Sequence, residues 1–193
     1  MAGFLAVLTM FTTLFSNGTT AFAASPSANI AFWNASVKNT GEVSELKAGY
    51  NHGKILYSMI DGNAAYCMNF GLAADGGQLM NSYDNPSTSL SAAQEKQLAY
   101  CLYFGYGCNS ATAPSNDQCD QYIATQTMVW AIVANLFGTG SDDSAANKLC
   151  ASAPNPTNSY AYYTTLKNNI SASYYATRPS FASATKSGAT TYE

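Results

Sequence analysis

The pattern of apolar and polar positions is strand-like in the first half of the chain. Three short runs rich in apolar and β-branched residues, at residues 30–37, 54–60 and 64–70, predict β-strands. The turn sequence Asp61-Gly62-Asn63 lies between the last two runs and predicts a hairpin. A loop rich in glycine, aspartate, asparagine, proline and serine then covers residues 71–88.

The second half of the chain carries helical signals. Ser91-x-x-Gln94 is a capping box that predicts a helix ending at Gly105, and Ser115-x-x-Gln118 predicts the start of a longer one. We expect that second helix to run to residue 136 or 137. A weaker third helix is predicted over residues 160–174. Strands followed by helices and then by extended chain favour an α+β fold, with a β-sandwich-like or β-barrel-like scaffold and an inserted helical subdomain.

Cys67 occupies an unusual position in this pattern. Alternation along the third predicted strand puts the bulky residues Tyr66, Met68 and Phe70 on one face. Cys67 lies on the other face with small or polar neighbours, where another element could cover it.

Gln126 is the second unusual residue, because it lies in the middle of an apolar helical face. That face is formed by the residues at −4, −3, +3, +4 and +7, which are Tyr122, Ile123, Val129, Trp130 and Val133. A buried carboxamide is costly unless its oxygen and nitrogen are hydrogen-bonded. The sequence therefore predicts a polar partner for Gln126.

Composition and the N-terminal segment indicate which partners and which cellular compartment to expect. Charged residues make up only 10% of the chain and the net charge is −3, without a basic tract, so nucleic acid is not an expected partner. Residues 1–24 contain an apolar run too short to span a bilayer and the cleavage-type sequence Ala21-Phe22-Ala23. We interpret them as a secretory signal peptide, although no lysine or arginine precedes Lys38.

The five cysteines are Cys67, Cys101, Cys108, Cys119 and Cys150. In an oxidising compartment four of them could pair, with three connectivities open for any chosen four. No Cys-x-x-Cys motif occurs and His52 is the single histidine, so no zinc site or other metal centre is expected. No cofactor is expected either.

Two segments resemble a known family. Tyr66-Cys67-Met68-Asn69 and Thr125-Gln126-Thr127-Met128-Val129-Trp130 resemble the two signature segments of the bacterial thioester domain, found at the tips of Gram-positive surface adhesins and pili. Residues 98–107 are similar to its intervening helix and residues 178–181 to its closing turn. The resemblance extends over residues 29–193, and we expect the C-terminal end of the domain to be truncated. Met128 departs from the family pattern, which more often has alanine there.

The resemblance implies an internal thioester, in which the Gln126 side chain acylates the Cys67 sulfur with loss of ammonia. A lysine amine of a host surface or matrix protein would then be captured covalently, once per domain, without turnover. Tyr66, Tyr122 and Trp130 would shield the thioester from water, and Asn69 could polarise its carbonyl.

The resemblance also implies a setting for the domain. The cysteines outside the signature, Cys101, Cys108, Cys119 and Cys150, would form structural disulfides. The domain would belong to a larger protein on the surface of a Gram-positive bacterium, with any anchor beyond Glu193 and no membrane insertion of the mature domain.

Two alternatives remain open at this stage. A cysteine hydrolase or transglutaminase-like enzyme would need His52 beside Cys67, whereas the turn-like Asn51-His52-Gly53 favours a solvated loop histidine. The other alternative is a non-covalent binding module of the same fold with an inactive thioester site.

Overall fold

A computed structural model describes residues 27–60, 63–71, 79–81, 90–107 and 114–175. The strands among them are β1 (Ser27–Asn34), β2 (Leu56–Ile60), β3 (Asn63–Ala65) and β4 (Leu79–Asn81). The helices are α1 (Ala92–Phe104), α2 (Asn116–Val133), α3 (Ser141–Cys150) and α4 (Pro156–Tyr175). The fold is therefore mixed α+β, as predicted. Within these ranges no helix is long and apolar enough to cross a membrane.

The strands form an antiparallel sheet in the order β3-β2-β1-β4. Phe32 of β1 lies opposite Ser58 of β2, which in turn lies opposite Ala65 of β3. This single sheet is what the described part of the chain contains, so the sandwich-like or barrel-like scaffold stays a prediction. The predicted signal peptide (1–24) and closing turn (178–181) lie outside the described residues.

The third predicted strand is shorter than expected. We predicted it over residues 64–70, but β3 ends at Ala65, two residues before Cys67. From Ala65 onward, side chains of α2 make hydrogen bonds to the main chain in place of a neighbouring strand. The hydroxyl of Tyr122 donates to the carbonyl of Ala65, and Gln126 pairs with the main chain of Cys67. The predicted burial of Tyr66, Met68 and Phe70 is nevertheless confirmed.

Both predicted capping boxes are confirmed. The side chains of Ser91 and Ser115 each accept a hydrogen bond from the backbone N–H three residues further on. The side chains of Gln94 and Gln118 in turn accept from the backbone N–H of these serines. These reciprocal bonds satisfy N–H groups that the first turn of a helix leaves unpaired.

Helix α2 ends at Val133, earlier than the predicted residue 136 or 137. Asn135 adopts a φ of 58°, a left-handed conformation that stops a right-handed helix and that asparagine tolerates better than most residues.

Helix α3 and strand β4 were not predicted. The sequence of α3 nevertheless carries a charge signal, with Asp142 and Asp143 in its first turn and Lys148 in its last. Helix α4 begins at Pro156, four residues before the predicted start, because proline fits the first turn of a helix.

Helix α2 forms the centre of the molecule. All of residues 119–132 are buried except the half-buried Gln121, because α1, α3, α4 and the sheet pack around the helix. The apolar face predicted from the sequence is thus one part of a helix buried on every side.

The disulfide prediction is not confirmed for the described cysteines. Cys101, Cys119 and Cys150 are free thiols on α1, α2 and α3, and each is buried. They pack in the core as small apolar side chains. Cys108 lies outside the described residues.

Candidate functional site

The carboxamide of Gln126 forms two hydrogen bonds with the main chain of Cys67. The N–H of Cys67 donates to Oε1 of Gln126 at 2.8 Å, and Nε2 of Gln126 donates to the Cys67 carbonyl at 2.7 Å. Gln126 is only 2% exposed, so these bonds satisfy a polar group that would otherwise be costly to bury. The fold thus brings together the two residues from which the sequence predicts a thioester.

The thiol of Cys67 is half-buried and donates to the backbone carbonyl of Asn69 at 3.2 Å. Burial raises the pKa of this thiol, while the hydrogen bond with the Asn69 backbone and the nearby indole N–H of Trp130 act to lower it. Burial has the largest effect, so the sulfur carries its proton at neutral pH and must lose it when it acts as a nucleophile.

Tyr122 fixes the chain on which Cys67 lies. Its hydroxyl donates to the carbonyl of Ala65 at 2.7 Å and accepts from the N–H of Ser58 at 3.2 Å. Burial raises the pKa of this hydroxyl well above its usual range, so it acts as a neutral bridge between β2, β3 and α2.

Tyr66 supports the site beside Tyr122. The two rings stack with centroids 5.0 Å apart, and the Tyr66 hydroxyl donates to the carbonyl of Tyr106. Both side chains are buried. Their contacts provide an apolar wall next to Cys67, which is compatible with the shielding role predicted for them.

Trp130 lies one turn beyond Gln126 on α2, at the centre of a cluster of three rings. His52 stacks on its indole at a centroid distance of 4.9 Å, and Phe70 packs edge-on at 5.1 Å. His52 and Phe70 also contact each other at 4.8 Å. The periodicity of the sequence placed Phe70 on the buried face, but its contact with Trp130 depends on the fold.

The expectation of a solvated loop histidine is wrong, because His52 is partly buried against Trp130 and Phe70. Burial lowers the pKa of His52, so its imidazole is neutral at pH 7. Its Nε2 has no hydrogen-bond partner among the described residues, and the sulfur of Cys67 donates to Asn69 instead. The described residues therefore lack the hydrogen-bonded cysteine–histidine–acid arrangement of a cysteine hydrolase.

Asn69 is exposed and contacts Cys67 through its main-chain carbonyl. The predicted polarisation of the thioester carbonyl by its side chain has no counterpart in these contacts. The N–H of Cys67 itself is the group that donates to Oε1 of Gln126. Met128, where the resemblance departs from the family pattern, is fully buried in the core.

The comparison with protein families agrees with this geometry. A family model described as "Thioester domain" matches residues 64–177, which is more than half of the chain. The chain belongs to the thioester domain family. The match includes Cys67, Gln126 and all four helices, and membership suggests a covalent-binding module rather than an enzyme that turns over. No curated protein and no solved structure matches this thioester domain.

Proposed function

We propose that this thioester domain is exported to the surface of a Gram-positive bacterium and works as an adhesin. An internal Cys67–Gln126 thioester would capture an amine, a lysine side chain of a host surface or matrix protein, once per domain. The observation that carries the proposal is the pair of hydrogen bonds joining the Gln126 carboxamide to the main chain of Cys67.

Thioester formation joins the Cys67 sulfur to the side-chain carbonyl carbon of Gln126. The C–N bond of the carboxamide breaks, and the thiol proton leaves with the nitrogen as ammonia. Negative charge develops on Oε1 during the attack, and the N–H of Cys67 already donates to that oxygen at 2.8 Å. Because the carboxamide lies against the main chain of Cys67, we expect the attack to need a side-chain rotation rather than a main-chain movement.

Amine capture takes place at the same carbonyl carbon, where a C–N bond forms again and the C–S bond breaks. A neutral primary amine attacks the thioester carbonyl, the C–S bond breaks, and the amine proton passes to the sulfur. An isopeptide bond and a free Cys67 thiol are the products. Cys67 is half-buried next to the exposed Asn69, which provides a route for the amine, whereas Gln126 is closed to solvent.

Intact mass spectrometry tests the proposal. The folded wild-type domain should weigh less than its sequence by one ammonia, and methylamine should add once as a covalent adduct. Cys67→Ala and Gln126→Ala should abolish both effects.

Gln126→Glu is a matched control of nearly the same shape, because a thiol does not attack a carboxylate without activation. A wild-type mass equal to that of the unmodified sequence, with no methylamine adduct, would indicate a non-covalent module. Repeated turnover of a small ester would indicate a hydrolase.

A further inference from the structure

The indole N–H of Trp130 is a buried donor without a hydrogen-bond partner among the described residues. Trp130 is 3% exposed, so bulk solvent does not reach this group. Leaving a donor unpaired in the interior of a protein destabilises the fold. A donor kept unpaired at this cost suggests a role in function.

Trp130 lies one turn beyond Gln126, whose carboxamide pairs with the main chain of Cys67, and Phe70, three residues after Cys67, packs on the indole. The indole lies close enough to lower the pKa of the thiol, although the resting geometry falls short of a hydrogen bond. A thiol is a weak acceptor, whereas a thiolate is a strong one. The interaction is therefore stronger when the sulfur carries negative charge.

The orientation of the indole is fixed from two sides. His52 lies nearly parallel to the Trp130 ring, with an interplanar angle of 20°, and Phe70 meets it edge-on at 84°. Since these rings also contact each other, the indole cannot turn without disturbing both. The indole N–H is thus held in one orientation beside the segment that carries Cys67.

We propose that the Trp130 N–H stabilises the Cys67 sulfur as the leaving group of amine capture, and that His52 is a positioning residue that holds the indole. This inference rests on the proposed thioester. As the amine nitrogen bonds to the carbonyl carbon of Gln126, the C–S electron pair moves onto the sulfur and the N–H donates to it. The amine proton then completes the thiol.

The titratable groups described near Cys67 carry no positive charge that could stabilise a thiolate. Burial raises the pKa of the Tyr122 hydroxyl and lowers the pKa of His52, so both are neutral near pH 7. Neither supplies a positive charge to a thiolate. A directed N–H dipole in a water-poor site is the remaining source of stabilisation on these elements.

The test replaces Trp130 by β-(3-benzothienyl)alanine, which keeps the bicyclic shape but has sulfur in place of N–H. The background is Trp33→Phe, so that Trp130 is the single tryptophan; Trp33 lies on β1 and packs edge-on against Tyr57. The Trp33→Phe protein is the matched control and should capture methylamine at the wild-type rate. The analogue should capture it about tenfold more slowly, the loss expected for one hydrogen bond to a charged group.

A second measurement does not depend on the thioester. In a Gln126→Ala background, the pH dependence of Cys67 alkylation, followed by peptide mass spectrometry, gives the pKa of its thiol. Removing the N–H should raise that pKa by roughly one unit. If wild type lacks the ammonia deficit, the proposed function fails, whereas an unchanged thiol pKa in the analogue defeats the role of Trp130 by itself.

His52→Ala removes the ring that stacks on Trp130 and should slow capture, so an unchanged rate in that variant would overturn the positioning role. His52→Phe separates positioning from proton transfer, because phenylalanine keeps a stacked ring but cannot carry a proton. In His52→Phe the capture rate should stay within about twofold of its control value, and the thiol pKa within about 0.3 unit of its own. A tenfold loss of capture in His52→Phe would overturn the proposal and make His52 the proton carrier. An unchanged capture rate in the benzothienyl protein would overturn it equally.

Discussion

Two side chains of α2, Tyr122 and Gln126, replace a neighbouring strand at the end of β3 and just after it. They lie four residues apart on the helix, and their partners Ala65 and Cys67 lie two apart on extended chain. Four helical residues rise about 6 Å and two strand residues about 6.6 Å, so the two spacings match. This match lets one helix face hold the reactive segment at two points.

Tyr122→Phe tests the first of these points. The substitution keeps the ring but leaves the carbonyl of Ala65 and the N–H of Ser58 without their buried partner. We expect the free energy of unfolding to fall by about 1–3 kcal/mol, measured by urea denaturation.

Tyr160→Phe is the matched control, since that tyrosine is partly exposed and stacks on Tyr163 through its ring. A similar loss in both variants would mean that the hydroxyl of Tyr122 has no special role in stability.

Helix α1 meets α2 where its end packs closely against Thr125. A Cβ added at Gly105 would lie 2.4 Å from the carbonyl oxygen of Cys101 and 2.6 Å from Cγ2 of Thr125. The next residue, Tyr106, donates its N–H to Oγ1 of Thr125 at 2.9 Å, and its carbonyl accepts from Tyr66. The close approach at Gly105 thus connects the end of α1 to the wall beside Cys67.

Gly105→Ala should therefore destabilise the domain by about 1–3 kcal/mol, because backbone and a β-branched side chain must both move. Gly107→Ala is the control, since a Cβ there meets no atom within 4 Å. Thermal unfolding of the two variants compares them directly. Equal melting temperatures would show that the contact at Gly105 relaxes without cost.

The whole molecule is held together by packing around α2 rather than by disulfides among the described cysteines. Cys101, Cys119 and Cys150 come from three different helices that meet at this core. Burial raises the pKa of Cys119 and of Cys150 to about 11, so these thiols are protonated and unreactive at neutral pH.

Reduction should consequently leave the melting temperature of the domain unchanged. In guanidinium chloride, without prior reduction, Cys101, Cys119 and Cys150 should each accept one alkyl group, as measured by peptide mass spectrometry. In the native state they should react far more slowly. A fall in melting temperature with a phosphine reductant, which unlike a thiol does not attack a thioester, or alkylation that requires reduction, would contradict the free-thiol core.

The sequence by itself determined the features that depend on near neighbours. The capping boxes at Ser91 and Ser115 predicted two helix starts, because the side chains of a serine and a glutamine three residues apart each accept a hydrogen bond from the other residue's backbone N–H. Alternation identified the buried face of Tyr66, Met68 and Phe70. Helix α3 was missed because its buried residues are mostly small, so its apolar periodicity is weak.

Only the tertiary structure decided how the site is assembled. The contact of Gln126 with Cys67 and the stack of His52 on Trp130 join residues far apart in the chain, and no local pattern encodes them. The motif segments identified Cys67 and Gln126. Other features follow from the packing of helix α2 against the segment after β3: the hydrogen-bond partners of the carboxamide, the early end of β3 and the unpaired N–H of Trp130. Long-range packing sets such distances, since it fixes which surfaces meet after the local elements have formed.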